Sequence, residues 1–359
     1  MTRALILLLV LPVSAAAQDD KGGPAPASTV VAIPSAGSEV LVAADAAEQT
    51  RPPAARQQLG TKRRPSMVGY VGDSTITSQF RIRFDSGFQI TSPDRAEFFY
   101  AKCGCYRDLP PSLNIFDPDA EGPGPGILSK GDFQQLFVLG EYAIGDRVSV
   151  FGELPVRWLK PQEFVAGTGS FDNQSGLSDV RLGAKLGVMS TDSGQATVLV
   201  QMTTPTGDSR KGLGTHHASF ETALLAAQQV GERVGVEGQF GAIVPIGGSP
   251  GIPTTNSEKF SGSVLYYGIG PSVDLYMSDT VRFGPVVELV GWHVMGGFQT
   301  LCAGVPCFAD ASGTNIVNIK IGGRFVMRDR NSIYVGYGKG LTDQKWYDDI
   351  LRVEFRRSF

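Results

Sequence analysis

The sequence predicts an all-β protein, a transmembrane antiparallel up-and-down β-barrel of about twelve strands with short periplasmic turns and long extracellular loops. Three observations carry this expectation: period-two alternation of apolar and polar residues, strict alternation of short and long connections, and the character of the two ends. Residues 176–225 show the alternation best. Val180, Leu182, Ala184, Leu186 and Val188 alternate with Asp179, Arg181, Gly183, Lys185 and Gly187, as in a strand with one apolar and one polar face. A polar turn follows at residues 190–194, and the chain returns through Ala196, Val198, Val200 and Met202. It breaks at Pro205-Thr206-Gly207-Asp208 and re-enters a strand at Phe220, Thr222 and Leu224. A soluble sandwich and a membrane barrel both satisfy such a pattern, and the ends decide between them.

Arg3, the apolar run at residues 4–13 and Ser14-Ala15-Ala16-Ala17 have the charged start, short apolar core and A-x-A site of a secretory signal peptide. Residues 1–17 are therefore expected to be cleaved on export. At the other end Leu351, Val353, Phe355 and Phe359 share one strand face against Arg352, Glu354 and Arg356. An alternating strand that reaches Phe359 resembles the signature by which the outer-membrane assembly machinery recognises its barrels, although Arg357 stands where an apolar residue is usual. Barrels hide their apolar band in alternation, so the 42% hydrophobic content fits a membrane protein as well as a soluble one. A net charge of -3 argues against a nucleic-acid partner, and four cysteines in an exported chain favour disulfides over metal or redox chemistry.

After the signal, residues 18–73 are rich in Ala, Pro and small polar residues, with a basic knot at Lys62-Arg63-Arg64. Such a segment buries too little apolar surface to offset ordering and reads as a disordered periplasmic tail, with a plug or peptidoglycan-binding arm as the alternative. The barrel is expected over residues 74–359. Its first strand sets Phe80, Ile82 and Phe84 against Arg81, Arg83 and Asp85, and its second, near residues 133–144, meets the third across Gly145-Asp146. The third sets Val148, Val150, Leu154, Val156 and Trp158 against Arg147, Ser149, Glu153 and Arg157. Residues 176–225 supply the next three. Strands around Val236, Ile269, Val287, Ile321, Val335 and Val353 complete the set. Trp158 suits an aromatic girdle, and Trp292 would join it only if a bulge near Gly284-Pro285 changed its parity.

The links alternate. Short turns join strands two to three, four to five, six to seven, eight to nine and ten to eleven, whereas residues 91–131, 161–175, 207–218, 246–259 and 296–313 form long loops. A transmembrane barrel has that asymmetry, and a sandwich has no reason for it.

With apolar faces toward lipid, the opposite parity lines the lumen: Arg81, Arg83, Glu153, Arg157, Asp179, Arg181, Lys185, Glu221, Glu237, Arg282, Glu288, Lys320 and Arg324. Charges cannot face hydrocarbon cheaply, so they either brace the wall as ion pairs or form a field across a narrow aqueous path. The first long loop carries Phe98-Phe99-Tyr100, Cys103, Cys105, Ile115 and Phe116 and is the expected occluding element. Cys302 and Cys307 are spaced to close a small loop. Cys103 and Cys105 pair with each other only in a strained bridge, so cross-loop pairing is the other arrangement.

Asp117, Asp119 and Glu121 begin like a calcium loop that Pro118 and Leu128 then spoil, and residues 207–215 imitate a phosphate loop without its Lys. No metal or cofactor is expected. His216 and His217, near Asp208, Ser219 and Glu221, and His293 on another strand allow a second reading, a barrel enzyme of phospholipase or protease type with a rim site. A structural or adhesive barrel is a third.

Asp179-Val180-Arg181-Leu182-Gly183-Ala184-Lys185, a strand ending Pro205-Thr206-Gly207-Asp208, and Gly212-Leu213-Gly214 resemble the outer-membrane transporters grouped with the meta-pathway phenol-degradation proteins. That resemblance implies a barrel that moves small molecules, often hydrophobic or aromatic. The expectation is thus an outer-membrane channel for passive uptake, not an enzyme, with membrane lipid and a small solute as partners.

Overall fold

A computed structural model describes residues 64–90, 102–107, 109–112, 116–248, 250–252, 255–300 and 308–359. The signal peptide and most of the proposed tail lie outside this set. Twelve strands form the barrel: β1 (Gln79–Ile90), β2 (Leu128–Ala143), β3 (Val148–Phe164), β4 (Arg181–Ser190), β5 (Gly194–Thr203) and β6 (Ala218–Val230). These are followed by β7 (Val234–Ile246), β8 (Val264–Val273), β9 (Val281–Val294), β10 (Asn315–Met327), β11 (Asn331–Gly340) and β12 (Asp349–Ser358). Each pairs antiparallel with its neighbours in sequence, and β1 closes the circle on β12 from Gln79↔Ser358 to Phe88↔Asp349. Closure removes every free strand edge, which a sheet in hydrocarbon requires. No helix long and apolar enough to cross a membrane occurs among the described residues, so the strands do the crossing.

The turns explain the pairing. Gly145 between β2 and β3 and Gly231 between β6 and β7 have φ of 93° and 66°, conformations that cost an L side chain energy and glycine nothing. Leu182, Leu186, Val200, Phe220, Phe240 and Leu351 are exposed on the outside of the wall, while Lys185, Glu153 and Arg324 are buried within it. An Arg or Lys turned to mid-bilayer lipid would cost about 2–4 kcal/mol, so the charge pattern fixes which face is inside. This wall, apolar outside and charged inside, is that of an outer-membrane β-barrel.

Two points of the sequence reading are decided here, the first left open by it. Trp292 points inward: β9 pairs β10 in unbroken register from Val281↔Met327 to His293↔Asn315, so no bulge alters its parity. Its indole stacks 4.8 Å from that of Trp346 instead of joining the girdle. The second concerns residues 64–73, the end of the segment at 18–73 expected to be a disordered tail. Met67, Val68 and Val71 are almost fully buried, and residues 64–78 fold up into the barrel from its short-turn end.

Candidate functional site in the lumen

Residues 64–78 are placed by backbone hydrogen bonds to lumenal side chains. The amides of Met67 and Val68 donate to Glu237 Oε1 at 2.8 and 3.4 Å. At the apex, the Gly69, Tyr70 and Val71 amides converge on the Glu288 carboxylate at 3.0, 2.7 and 2.6 Å. Gly72 donates to Gln239 at 2.6 Å. Cations take the carbonyls: Arg324 reaches the oxygens of Met67 and Val68 at 3.2 and 2.7 Å, Arg352 that of Gly69 at 2.5 Å, and Lys185 that of Thr75 at 3.2 Å. Arg356 pairs with Asp73 at 2.8 Å. An irregular backbone at membrane depth needs its polar groups satisfied, and the wall supplies partners for these amides and carbonyls. Apolar contact finishes the fit, with Val68 and Val71 against Val286, Val290 and Tyr334.

The other charges predicted from parity meet within the barrel. Glu153 receives Arg81 at 2.9 Å and Arg181 at 3.0 Å, with Arg83 at 3.8 Å. Lys185 pairs with Glu141 at 3.1 Å, Arg282 with Asp274 at 3.2 Å, and Arg324 with Glu354 at 2.7 Å. Glu221 accepts from Tyr266 at 2.6 Å, Lys320 donates to the Tyr347 hydroxyl at 2.5 Å, and the Arg157 guanidinium lies 4.6 Å over the Phe133 ring. Asp179 stands apart from these pairs and holds the β5–β6 loop, accepting the amides of Gly207 and Thr215 at 2.9 and 2.7 Å.

Above the apex of the inserted segment lies a cavity of about 430 Å³. One side is charged, with Arg81, Arg83, Arg157 and Arg181 among Asp85, Glu141, Glu153 and Glu221; the side toward the loops is apolar, with Phe133, Trp292, Trp346 and Tyr347. Reading charged parity alone missed this apolar part. The signal was present, because Phe133, Phe137 and Leu139 share the parity of Glu141 on β2, as Trp292 shares that of Glu288 on β9.

The described part of the first loop packs on the neighbouring loop. Phe98-Phe99-Tyr100 and Ile115 lie outside the described residues, and none of the loop's described residues lines the cavity. Cys103, Cys105, Tyr106, Ala120 and Ile127 cluster with Phe260 of the β7–β8 loop, and the Tyr106 hydroxyl lies 3.2 Å from Thr300 Oγ1. The sulfurs of Cys103 and Cys105 face one another, with Cα atoms 5.2 Å apart; Cys302 and Cys307 lie outside the described residues.

The rim histidines do not gather with Ser219 and Glu221. His216 Nε2 is 3.0 Å from Glu121 and its Nδ1 3.4 Å from Ser209, but Ser209 is buried on a 3-10 turn and presents no open nucleophile. His217 contacts Ser261 at 3.4 Å, and burial lowers its pKa below the usual histidine value. His293 bonds Asn315 at 2.8 Å.

Residues 134–245 match the model of the family described as "Putative MetA-pathway of phenol degradation". Over that span the chain is similar to the family. Its matched span runs from β2 into β7 and so contains the walls that carry Glu153, Arg181, Lys185 and Glu221. Among solved structures the chain is similar to the COG4313 outer membrane channel from Pseudomonas putida F1, at 12% identity over 81% of this chain and 99% of that one, with a TM-score of 0.49. It is also similar to the KdgM porin (9% identity, 78% and 99% covered, TM-score 0.38). LpxR from Salmonella typhimurium gives 10% identity, 79% and 100% covered, and a TM-score of 0.42. No curated protein matches the chain.

Proposed function

We propose that this protein is a passive outer-membrane channel for small molecules, stopped from the periplasmic side by its own residues 64–78. The observation that carries the reading is the inserted segment. It is held in the lumen by reversible hydrogen bonds and ion pairs, beneath a cavity large enough for a small solute. A wall built only for rigidity would be filled by its own side chains, as in small barrels. The KdgM porin and the channel from Pseudomonas putida share the barrel layout, in keeping with this function.

Three finer assignments accompany the reading. The lumenal charges set solute preference, as rings of charge do in channels. Cys103 and Cys105 form a disulfide that braces the first loop where it meets Phe260. The signal peptide directs export, and the assembly machinery reads β12 through Leu351, Val353, Phe355 and Phe359.

Planar-bilayer conductance of the refolded, heat-modifiable protein tests the function. The full chain is expected to give discrete current steps, and deletion of residues 64–73 to raise their size or open time several-fold. Silence from both folded proteins would overturn the channel reading.

A further inference from the structure

We propose that the lumenal cavity binds a small organic anion with a flat apolar body, its carboxylate on Arg83 and its body against the aromatic side. The proposal rests on the channel reading for the ligand's route, but the binding stands on the cavity itself.

The charge balance around Arg83 carries the argument. Glu153 is shared by three guanidinium groups, with Arg81 and Arg181 in the short contacts and Arg83 left at 3.8 Å. The other acid beside Arg83 is Asp85, at 3.5 Å, and it is already gripped through both oxygens by Arg352 at 2.7 Å each. Arg83 Nε is closed off beside Asp85 and has no hydrogen-bond acceptor among the described residues, so the guanidinium meets the cavity through its terminal nitrogens. Its Cζ lies over the Phe137 ring, 3.8 Å from the centroid, and the terminal nitrogens are left for an acceptor in the cavity. Glu221, the next carboxylate along the wall, is engaged by Tyr266 and by Gln201 at 2.8 Å. A buried guanidinium with long ion pairs is costly, and a ligand carboxylate would supply the short charge-assisted bonds that the protein does not.

The rest of the cavity specifies the body of that anion. Phe133 and Tyr347 face one another with ring centroids 6.3 Å apart, and the Trp292–Trp346 pair continues the aromatic surface. Aromatic faces favour offset or edge contact with another flat ring. A volume of about 430 Å³ falls within the range of small-ligand sites, about 300–1,000 Å³. A simple inorganic ion would leave the aromatic side unused, and a neutral aromatic would leave Arg83 unsatisfied.

Benzoate, benzamide and benzamidine have the same shape and differ in charge, so they separate these contributions. Each is titrated into the full chain folded in detergent and followed by calorimetry and by tryptophan fluorescence. Benzoate is expected to bind saturably and at least tenfold more tightly than benzamide, and benzamidine more weakly still. Arg83→Gln is expected to weaken benzoate at least tenfold and to leave benzamide within about threefold. Equal binding of the three ligands by the unaltered chain would overturn the proposal whether or not the variant folds, and so would an Arg83→Gln protein, heat-modifiable and folded, that binds benzoate unchanged. Bilayer currents separate the two readings. Benzoate binding by a protein silent in bilayers would sink the channel and keep the site, and an open pore that binds the three ligands alike would do the reverse.

Discussion

At the scale of single residues, the inserted segment depends on a glycine and a glutamate. A Cβ on Gly69 would collide with the ring of Tyr334, which is itself buried and hydrogen-bonded to Glu288 at 3.1 Å. The ring cannot retreat without breaking that bond, so Gly69→Ala should cost about 1–3 kcal/mol and fall on the apex contacts rather than on the wall. The expected outcome is a barrel with unchanged heat-modifiability and a larger or more frequent open current. Unchanged currents would show that the apex does not limit flow. Trp292 teaches a related lesson. An aromatic near a strand end suggests an interfacial belt, yet one residue of parity is enough to put it in the lumen instead.

At the scale of elements, the β5–β6 loop is tied to the wall by Asp179 and closes on the buried His217. Burial disfavours the imidazolium, so the folded-state pKa lies below the unfolded value of about 6.5. Between the two values the unfolded chain binds more protons. The contribution is therefore complete above about pH 6.5 and is lost as pH falls through the folded value, with a slope of at most about 1.4 kcal/mol per pH unit. Thermal unfolding in detergent from pH 8 to pH 5 should show this loss, and His217→Asn should remove the part of the slope that His217 supplies. The first loop gives a second expectation at this scale. Alkylation of the unfolded, non-reduced protein should leave Cys103 and Cys105 unlabelled, and reduction should expose both; labelling without reduction would rule out the bridge.

At the scale of the whole molecule, closure and plugging solve different problems. Closing β1 on β12 satisfies the backbone of the wall without water, as a membrane requires. The segment at residues 64–78 then borrows the same lumenal carboxylates and guanidiniums to satisfy an irregular backbone. Glu288, Glu237, Arg324, Arg352 and Arg356 thus serve both the wall and the inserted chain. Deleting residues 64–73 should remove the segment while β1–β12 and their closure remain, which makes conductance a cleaner readout than stability.

The sequence by itself determined the barrel, its twelve strands and its alternation of short and long connections. Each of these follows from a local rule: side-chain parity with period two, turn residues such as Gly145 and Gly231, and the high cost of charge in lipid. Only the tertiary structure decided what the barrel contains. Residues 64–73 read as the end of the Ala/Pro-rich segment that precedes them, and they are ordered by carboxylates and guanidiniums that lie more than 150 positions away in the chain. The cavity depends in the same way on a three-dimensional count of partners. Arg83 reads from sequence as one more lumenal charge, and only the positions of Glu153, Asp85 and Arg352 around it leave its Nε without an acceptor.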